Sequence, residues 1–199
     1  TFYYIEQHKS ASLTYFEFGT LAALDLFRKA KVDVAILEVG LGGRLDGTNI
    51  VDPDFAVITS IDIDHVEFLG DNREAIGREK AGIFRPNIPV VIGEPDCPQS
   101  ILDYAKELQC HVFRQNIDWT FSAESDRLQW QSKAKSLTVP LPKIPQPNCA
   151  TALAVLTQLP FELSDEILTQ AVEEAQMTGR FQLLGEQDFA KFSQNRPLA

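Results

Sequence analysis

The apolar run Val32-Asp33-Val34-Ala35-Ile36-Leu37 leads straight into Glu38-Val39-Gly40-Leu41-Gly42-Gly43-Arg44-Leu45-Asp46-Gly47-Thr48-Asn49. A buried strand that ends in a carboxylate and breaks into a glycine-rich turn is how an open α/β sheet presents a ligand site outside the carboxyl ends of its strands. The run therefore predicts a strand over 32–39 and places chemistry at 38–49.

Two further stretches, 55–61 and 90–93, are short, β-branched and nearly continuously apolar, as strands covered on both faces of a parallel sheet read. The intervening segments supply the crossovers: 73–84, stopped by Pro86, and 100–108, with Ser100 or Gln99 near its N-terminus. Before them, residues 15–30 are rich in Phe, Leu and Ala and read as a largely buried helix. Strand, helix, strand, helix in this order gives right-handed βαβ units, an α/β fold with a mostly parallel sheet flanked by helices.

From 119 to 141 the period changes. Trp119 and Phe121, Leu128 and Trp130, then Leu137, Val139 and Leu141 alternate with polar neighbours, which predicts a small antiparallel satellite sheet. Pro140, Pro142, Pro145 and Pro147 punctuate the chain before two helical stretches at 148–159 and 165–176. After Arg180 no clear periodicity remains.

A net charge of −10 in 199 residues argues against a binder of phosphate backbones, which needs clustered Lys and Arg, so nucleic acid is excluded as a partner. No apolar run approaches the roughly 18 to 20 residues of a membrane span, and no signal-peptide pattern opens the chain. A cytoplasmic protein without a membrane partner is expected. Cys97, Cys110 and Cys149 are far apart and odd in number, which reads as reduced structural thiols.

Glu38 ends the first expected strand, and His65 follows the second in Thr59-Ser60-Ile61-Asp62-Ile63-Asp64-His65. The two can converge on a metal, with Asp62 and Asp64 orienting the imidazole, although carboxylate suits Mg²⁺ whereas imidazole alone suggests Zn²⁺ or Mn²⁺. A strand-end Glu in an ion pair, a loop-capping His and solvated aspartates are the plain alternatives. The glycine run lets backbone approach a ligand, but Leu45 stands where a dinucleotide fingerprint has its third glycine. Lys80, with Arg78 and Glu79, reads as a solvated helical residue. Asn148 reads as an N-cap, and Arg180 as a phosphate ligand or an exposed side chain.

Taken together, Ser12-Leu13-Thr14-Tyr15-Phe16-Glu17, the segment from Leu37 to Asp46, Asp64-His65, Arg78-Glu79-Lys80-Ala81-Gly82-Ile83 and Pro145-Gln146-Pro147-Asn148 resemble the bifunctional folylpolyglutamate synthase/dihydrofolate synthase family. That family belongs to the Mur-ligase-like ATP-dependent amide-bond ligases. The resemblance covers residues 1–182 and implies the central ATP-binding domain. It leaves 183–199 as a divergent tail without the family's Asp-x-Ala-His-Asn motif. The family's pterin-contacting N-terminal segment, its phosphate loop with a Mg²⁺-binding Ser and its C-terminal glutamate-binding domain have no counterpart here.

The resemblance implies that Glu38 and His65 hold Mg²⁺, that Lys80 is a carbamylated lysine, and that Asn148 and Arg180 contact ATP. Thr14, Tyr15, Phe16 and Glu17 are implied at the pterin pocket, facing Leu45, Asp46 and Gly47, with Gly47 where a residue such as Ala is expected. Phe16 can also be core. The implied partners are dihydropteroate or folate, L-glutamate and ATP, and the implied protein is a monomer. The reaction is phosphorylation of a pteroate or folate carboxylate, then attack by the glutamate amine. Two readings compete: a truncated, non-catalytic product, and a divalent-metal phosphohydrolase built on Glu38, His65 and Asp64.

Overall fold

The computed structural model describes residues 1–63 and 71–177. Three short strands, β1 (Ala56–Ile58), β2 (Pro89–Ile92) and β3 (His111–Arg114), hydrogen bond in that order as a parallel sheet. A separate antiparallel sheet holds β4 (Trp119–Glu124), β5 (Arg127–Ser132) and β6 (Ser136–Pro140). The chain divides into two units, Thr1–Val90 with Asp96–Val112, and Val91–Pro95 with the residues from Phe113 on.

In the first unit, α1 (Phe2–His8) precedes α2 (Tyr15–Ala30), whose bounds follow from its caps. The Thr14 hydroxyl accepts from the Glu17 amide while the Glu17 carboxylate accepts from the Thr14 amide, a reciprocal capping box. Lys31, left-handed at φ 53°, ends the helix. The expectation of a largely buried helix fails, because only Ala22 is buried. Among the described residues α2 packs chiefly on α1 and a 3₁₀ turn at Gly47–Ile50, too little to cover its circumference.

The expected strand over 32–39 is likewise absent: these residues carry no ladder, and Val34 and Ile36 are 53% and 87% exposed. Strand character requires a neighbour to exchange backbone hydrogen bonds, and no described strand pairs with this run.

α3 (Arg73–Ala81) and α4 (Gln99–Glu107) pack closely, burying Ile76, Ala81, Ile101 and Ala105. Gly77 makes this possible, since a Cβ there would lie 3.0 Å from Ile101 Cγ1. Gln99 and Ser100 open α4, as expected, but Pro98 occupies the N-cap and has no side-chain acceptor. Glu74 of α3 supplies the acceptors instead, taking the Gln99 amide at 3.0 Å and the Ser100 amide at 2.7 Å.

In the second unit the predicted meander forms with Phe121 opposite Trp130 and Leu128 opposite Val139. Leu128, Trp130, Leu137 and Val139 point inward while Gln129, Gln131 and Thr138 are exposed, which is the period of two read from sequence. Trp119 and Trp130 stack at 6.2 Å. α5 (Gln146–Leu156) packs Cys149, Ala150, Leu153 and Ala154 inward beside β4 and β5, and α6 (Asp165–Glu174) lies on β6. Among the described residues no helix is long and apolar enough to cross a membrane.

Candidate functional site

Residues 40–52 are built around the carboxylate of Asp46. Its Oδ2 accepts from the Gly40 and Leu41 amides, each at 3.0 Å, and its Oδ1 from the Thr48 amide at 2.9 Å and hydroxyl at 2.7 Å. A carboxylate offers about four acceptor positions, so the loop itself occupies all of them. Partial burial raises the carboxyl pKa, but the bonds from Thr48, Leu41 and Gly40 together outweigh it and hold the group below the ordinary aspartate value.

The loop closes on two neighbours. A Cβ at Gly40 would sit 2.9 Å from Phe16 Cζ, so the Phe16 ring packs against bare backbone. On the other side Gly43, at φ 154°, lies where a Cβ would be 2.9 Å from the Lys80 carbonyl oxygen. Only glycine combines that conformation with that approach. Arg44 completes the junction with its amide on the Glu79 carbonyl at 3.0 Å and its Nε on the Glu79 carboxylate at 2.8 Å.

A cavity of about 340 Å³ opens between α2 and this loop, lined by Leu13, Glu17, Thr20, Leu21, Arg44, Leu45, Asp46, Gly47, Asn49 and Ile50. The family resemblance placed Thr14, Tyr15, Phe16, Glu17, Leu45, Asp46 and Gly47 on one pocket; Glu17, Leu45, Asp46 and Gly47 lie on the wall of this cavity, whereas Thr14, Tyr15 and Phe16 do not. Thr14 and Glu17 are engaged with each other: Glu17 Oε2 takes the Thr14 amide at 2.7 Å and hydroxyl at 2.9 Å, which lowers the Glu17 pKa. The Glu17 Oε1 atom has no partner among the described residues. Tyr15 is 96% exposed, and Phe16 is packed on the loop yet 45% exposed.

Glu38 is exposed and has neither a hydrogen bond nor an ion pair among the described residues. Lys80 is half-buried on α3 and likewise has no ion-pair partner among them. Of its neighbours, Glu79 is half-buried and pairs with Arg44, while Arg78 is exposed as expected, with its guanidinium 3.5 Å over the Tyr104 ring. Asp62 is exposed and accepts from the Ile63 amide at 2.7 Å, a local turn contact. His65, Asp64 and Arg180 lie outside the described residues, and among the described residues no group of three His, Cys, Asp or Glu side chains gathers as a metal cage.

Asn148 is not an N-cap. Pro145 holds that position and Asn148 is the third residue of α5, exposed and without a side-chain partner among the described residues, because Pro147 is tolerated in a first turn whose amides need no helical acceptor. Asn49, inside the segment where the sequence places chemistry, and Arg85, which sequence reasoning did not single out, tie the loop to the end of α3. Arg85 carries no sequence signal, because its partners on the loop, Asn49 and Asp52, lie 36 and 33 residues away.

The chain matches the Mur ligase middle domain over residues 2–157. It is 56% identical over 185 residues to the dihydrofolate synthase/folylpolyglutamate synthase of Haemophilus influenzae, covering 92% of this chain and 42% of that protein. A solved structure of E. coli FolC in complex with DHPP and ADP superposes with a TM-score of 0.90 at 49% identity, over 93% of this chain and 45% of that one. Another, of a bifunctional folylpolyglutamate synthase/dihydrofolate synthase with Mn, AMPPNP and L-glutamate bound, gives 0.86 at 55% identity, over 94% and 46%. The chain thus spans less than half the length of the relatives it matches. On fold and sequence together, this chain belongs to the Mur ligase middle-domain family.

Proposed function

We propose that this chain forms the central part of an ATP-dependent ligase that joins L-glutamate to dihydropteroate or a folate. The observation that carries the reading is the cavity between Glu17 and Leu45–Gly47, whose loop is fastened to the turn of α3 bearing Lys80. Structures of relatives of similar sequence and fold are solved with DHPP and ADP, and with Mn, AMPPNP and L-glutamate.

In the proposed reaction a substrate carboxylate oxygen attacks the γ-phosphoryl group of ATP and ADP leaves. The glutamate amine then attacks the acyl carbon, loses a proton and expels inorganic phosphate. Tyr15 and Phe16 flank a flat pterin, and the open Glu17 Oε1 accepts from its N–H edge. Thr14 orients Glu17, while Asp46 shapes the wall through the Leu45–Gly47 backbone. Asn148 and Arg180 contact ATP.

Glu38 fits a Mg²⁺ role: it is a hard oxygen donor, exposed and unengaged, and Mg²⁺ takes one or two protein carboxylates alongside substrate phosphates. Glu38 and His65 would hold the cation, which when bound offsets charge on the transferring phosphoryl group. Lys80, partly buried and without an ion-pair partner among the described residues, is the candidate for carbamylation, which would give it a carboxylate-like end. The same reading makes the protein a cytoplasmic monomer.

The test is ADP formation by the protein encoded in the complete reading frame containing this chain, with dihydropteroate, glutamate and Mg²⁺ omitted in turn. Dependence on all three is expected. Phosphate release without folate or glutamate would replace the ligase with a metal-dependent phosphohydrolase.

A further inference from the structure

Arg85 follows the last turn of α3, and all its donors are engaged by protein. A guanidinium has five N–H groups. Here Nε faces the Asp52 carboxylate, Nη1 reaches the carbonyls of Ile83 at 3.3 Å and Phe84 at 3.1 Å, and Nη2 reaches Asn49 O at 2.9 Å and Oδ1 at 3.1 Å. With no donor left over, Arg85 is not arranged to grip a phosphate or a substrate carboxylate.

Asn49 is equally committed. Its Nδ2 donates to Arg44 O at 2.9 Å and to Gly82 O at 3.1 Å, while its Oδ1 is held by Arg85. Arg44 in turn is bound through backbone and side chain to Glu79. Arg44 and Asn49 therefore bracket the cavity-lining residues Leu45–Gly47, and Glu79 and Gly82, to which they are tied, bracket Lys80. Gly82 permits no slack, since a Cβ there would lie 2.4 Å from Arg44 Cβ.

We infer that Arg85 and Asn49 are positioning residues which lock the pterin-side turn and the Lys80-bearing end of α3 into one body. This rests on the ligase reading for its purpose. The acceptor carboxylate and the phosphoryl group must meet within near-attack distance, and a displacement of about 1 Å can lower the rate about 100-fold. Lysine offers three donors on a flexible stem and cannot reproduce five fixed ones. Aspartate at 49 would turn two donors into an acceptor facing carbonyl oxygens.

The test uses the complete protein with Arg85→Ala, Arg85→Lys, Asn49→Asp and, as a control on α2, Arg28→Ala. The expected result is a kcat per folded site lowered about 100-fold in the first three, with the KM for ATP unchanged, and partial recovery of Arg85→Ala by added methylguanidinium. Arg28→Ala should match the parent. A purely structural role would lower the melting temperature and the amount of folded protein but leave kcat per folded site intact, and that outcome overturns the inference. If the parent shows no folate-dependent ADP formation, the ligase reading fails by itself. The lock is then read by hydrogen exchange, where Arg85→Ala should speed the Asp46, Asn49 and Ile83 amides together by at least about tenfold and leave β5 amides unchanged; unchanged exchange at those three refutes it.

Discussion

Asp46→Asn changes one atom in kind and almost nothing in shape, so it isolates what the carboxylate does. In the parent, Asp46 accepts from Gly40 N, Leu41 N, Thr48 N and Thr48 Oγ1 between 2.7 and 3.0 Å. An amide keeps one oxygen, which can serve one of these pairs. Its NH₂ group must then face two donors, so both bonds on that side are lost and a donor is set against a donor. Hydrogen bonds to a charged group contribute about 1.5 to 3 kcal/mol each. The Gly40 and Leu41 side is exposed, so solvent screening holds the total loss to roughly 2 kcal/mol.

Because that loss is confined to one loop, it should appear as local opening rather than global unfolding. About 2 kcal/mol corresponds to roughly 30-fold faster exchange, to be measured by NMR at the Gly40, Leu41 and Thr48 amides. The pH dependence carries a sign. The folded-state pKa of Asp46 is depressed, so its contribution is fully present above the unfolded value near 3.9 and is lost as pH falls through the folded value. The protection of these amides relative to an unstructured chain should therefore fall in acid below about pH 4 in the parent, while that of the Asn variant stays flat. If exchange in the variant matches the parent at neutral pH and only pterin binding weakens, Asp46 is a direct ligand and the loop-closing argument is wrong.

Gly47→Ala should be neutral or stabilising by about 0.4 to 1 kcal/mol, because its Cβ would meet Glu17 Cγ at an ordinary 3.4 Å; Gly43→Ala should instead cost about 1 to 3 kcal/mol, since its Cβ would strike the Lys80 carbonyl at 2.9 Å, and thermal melts separate the two. Glu74→Ala removes the acceptors at the start of α4 and should speed exchange of the Gln99 and Ser100 amides; the Glu74 carboxyl pKa is lowered mainly by Ser100, so the same loosening should appear in the parent as pH falls through that lowered value. Cys149 is 3% exposed and burial pushes its thiol up to about 11, so a thiol reagent at pH 8 should modify Cys97 and leave Cys149 untouched until the protein unfolds.

What could be read from sequence was what neighbouring residues decide among themselves. The α2 boundaries depend on Thr14, Glu17 and Lys31, all within or beside the helix, and the β4–β6 meander depends on a two-residue alternation that needs no distant partner. The run at 32–39 has every local mark of a strand, yet pairing belongs to whatever lies alongside it, and no described strand does. β3 passed unnoticed for the converse reason: His111-Val112-Phe113-Arg114 has little apolar pattern, but the His111 amide finds the Ile88 carbonyl at 3.0 Å and joins an existing edge.

The candidate site divides along the same line. Glu17, Leu45, Asp46 and Gly47 were brought into view by a family resemblance carried on compact motifs, but the motif alone could not say that Asp46 turns its carboxylate inward to its own loop. That follows from the Gly40 and Leu41 amides pointing at one oxygen. The junction with α3 spans 35 residues from Arg44 to Glu79 and 36 from Asn49 to Arg85, separations at which sequence pattern carries no contact information. These remote partners bind backbone carbonyls as well as side chains, and a carbonyl looks the same in every residue. The rigidity that would let a substrate wall and Lys80 act together is therefore written in geometry that only the folded chain displays.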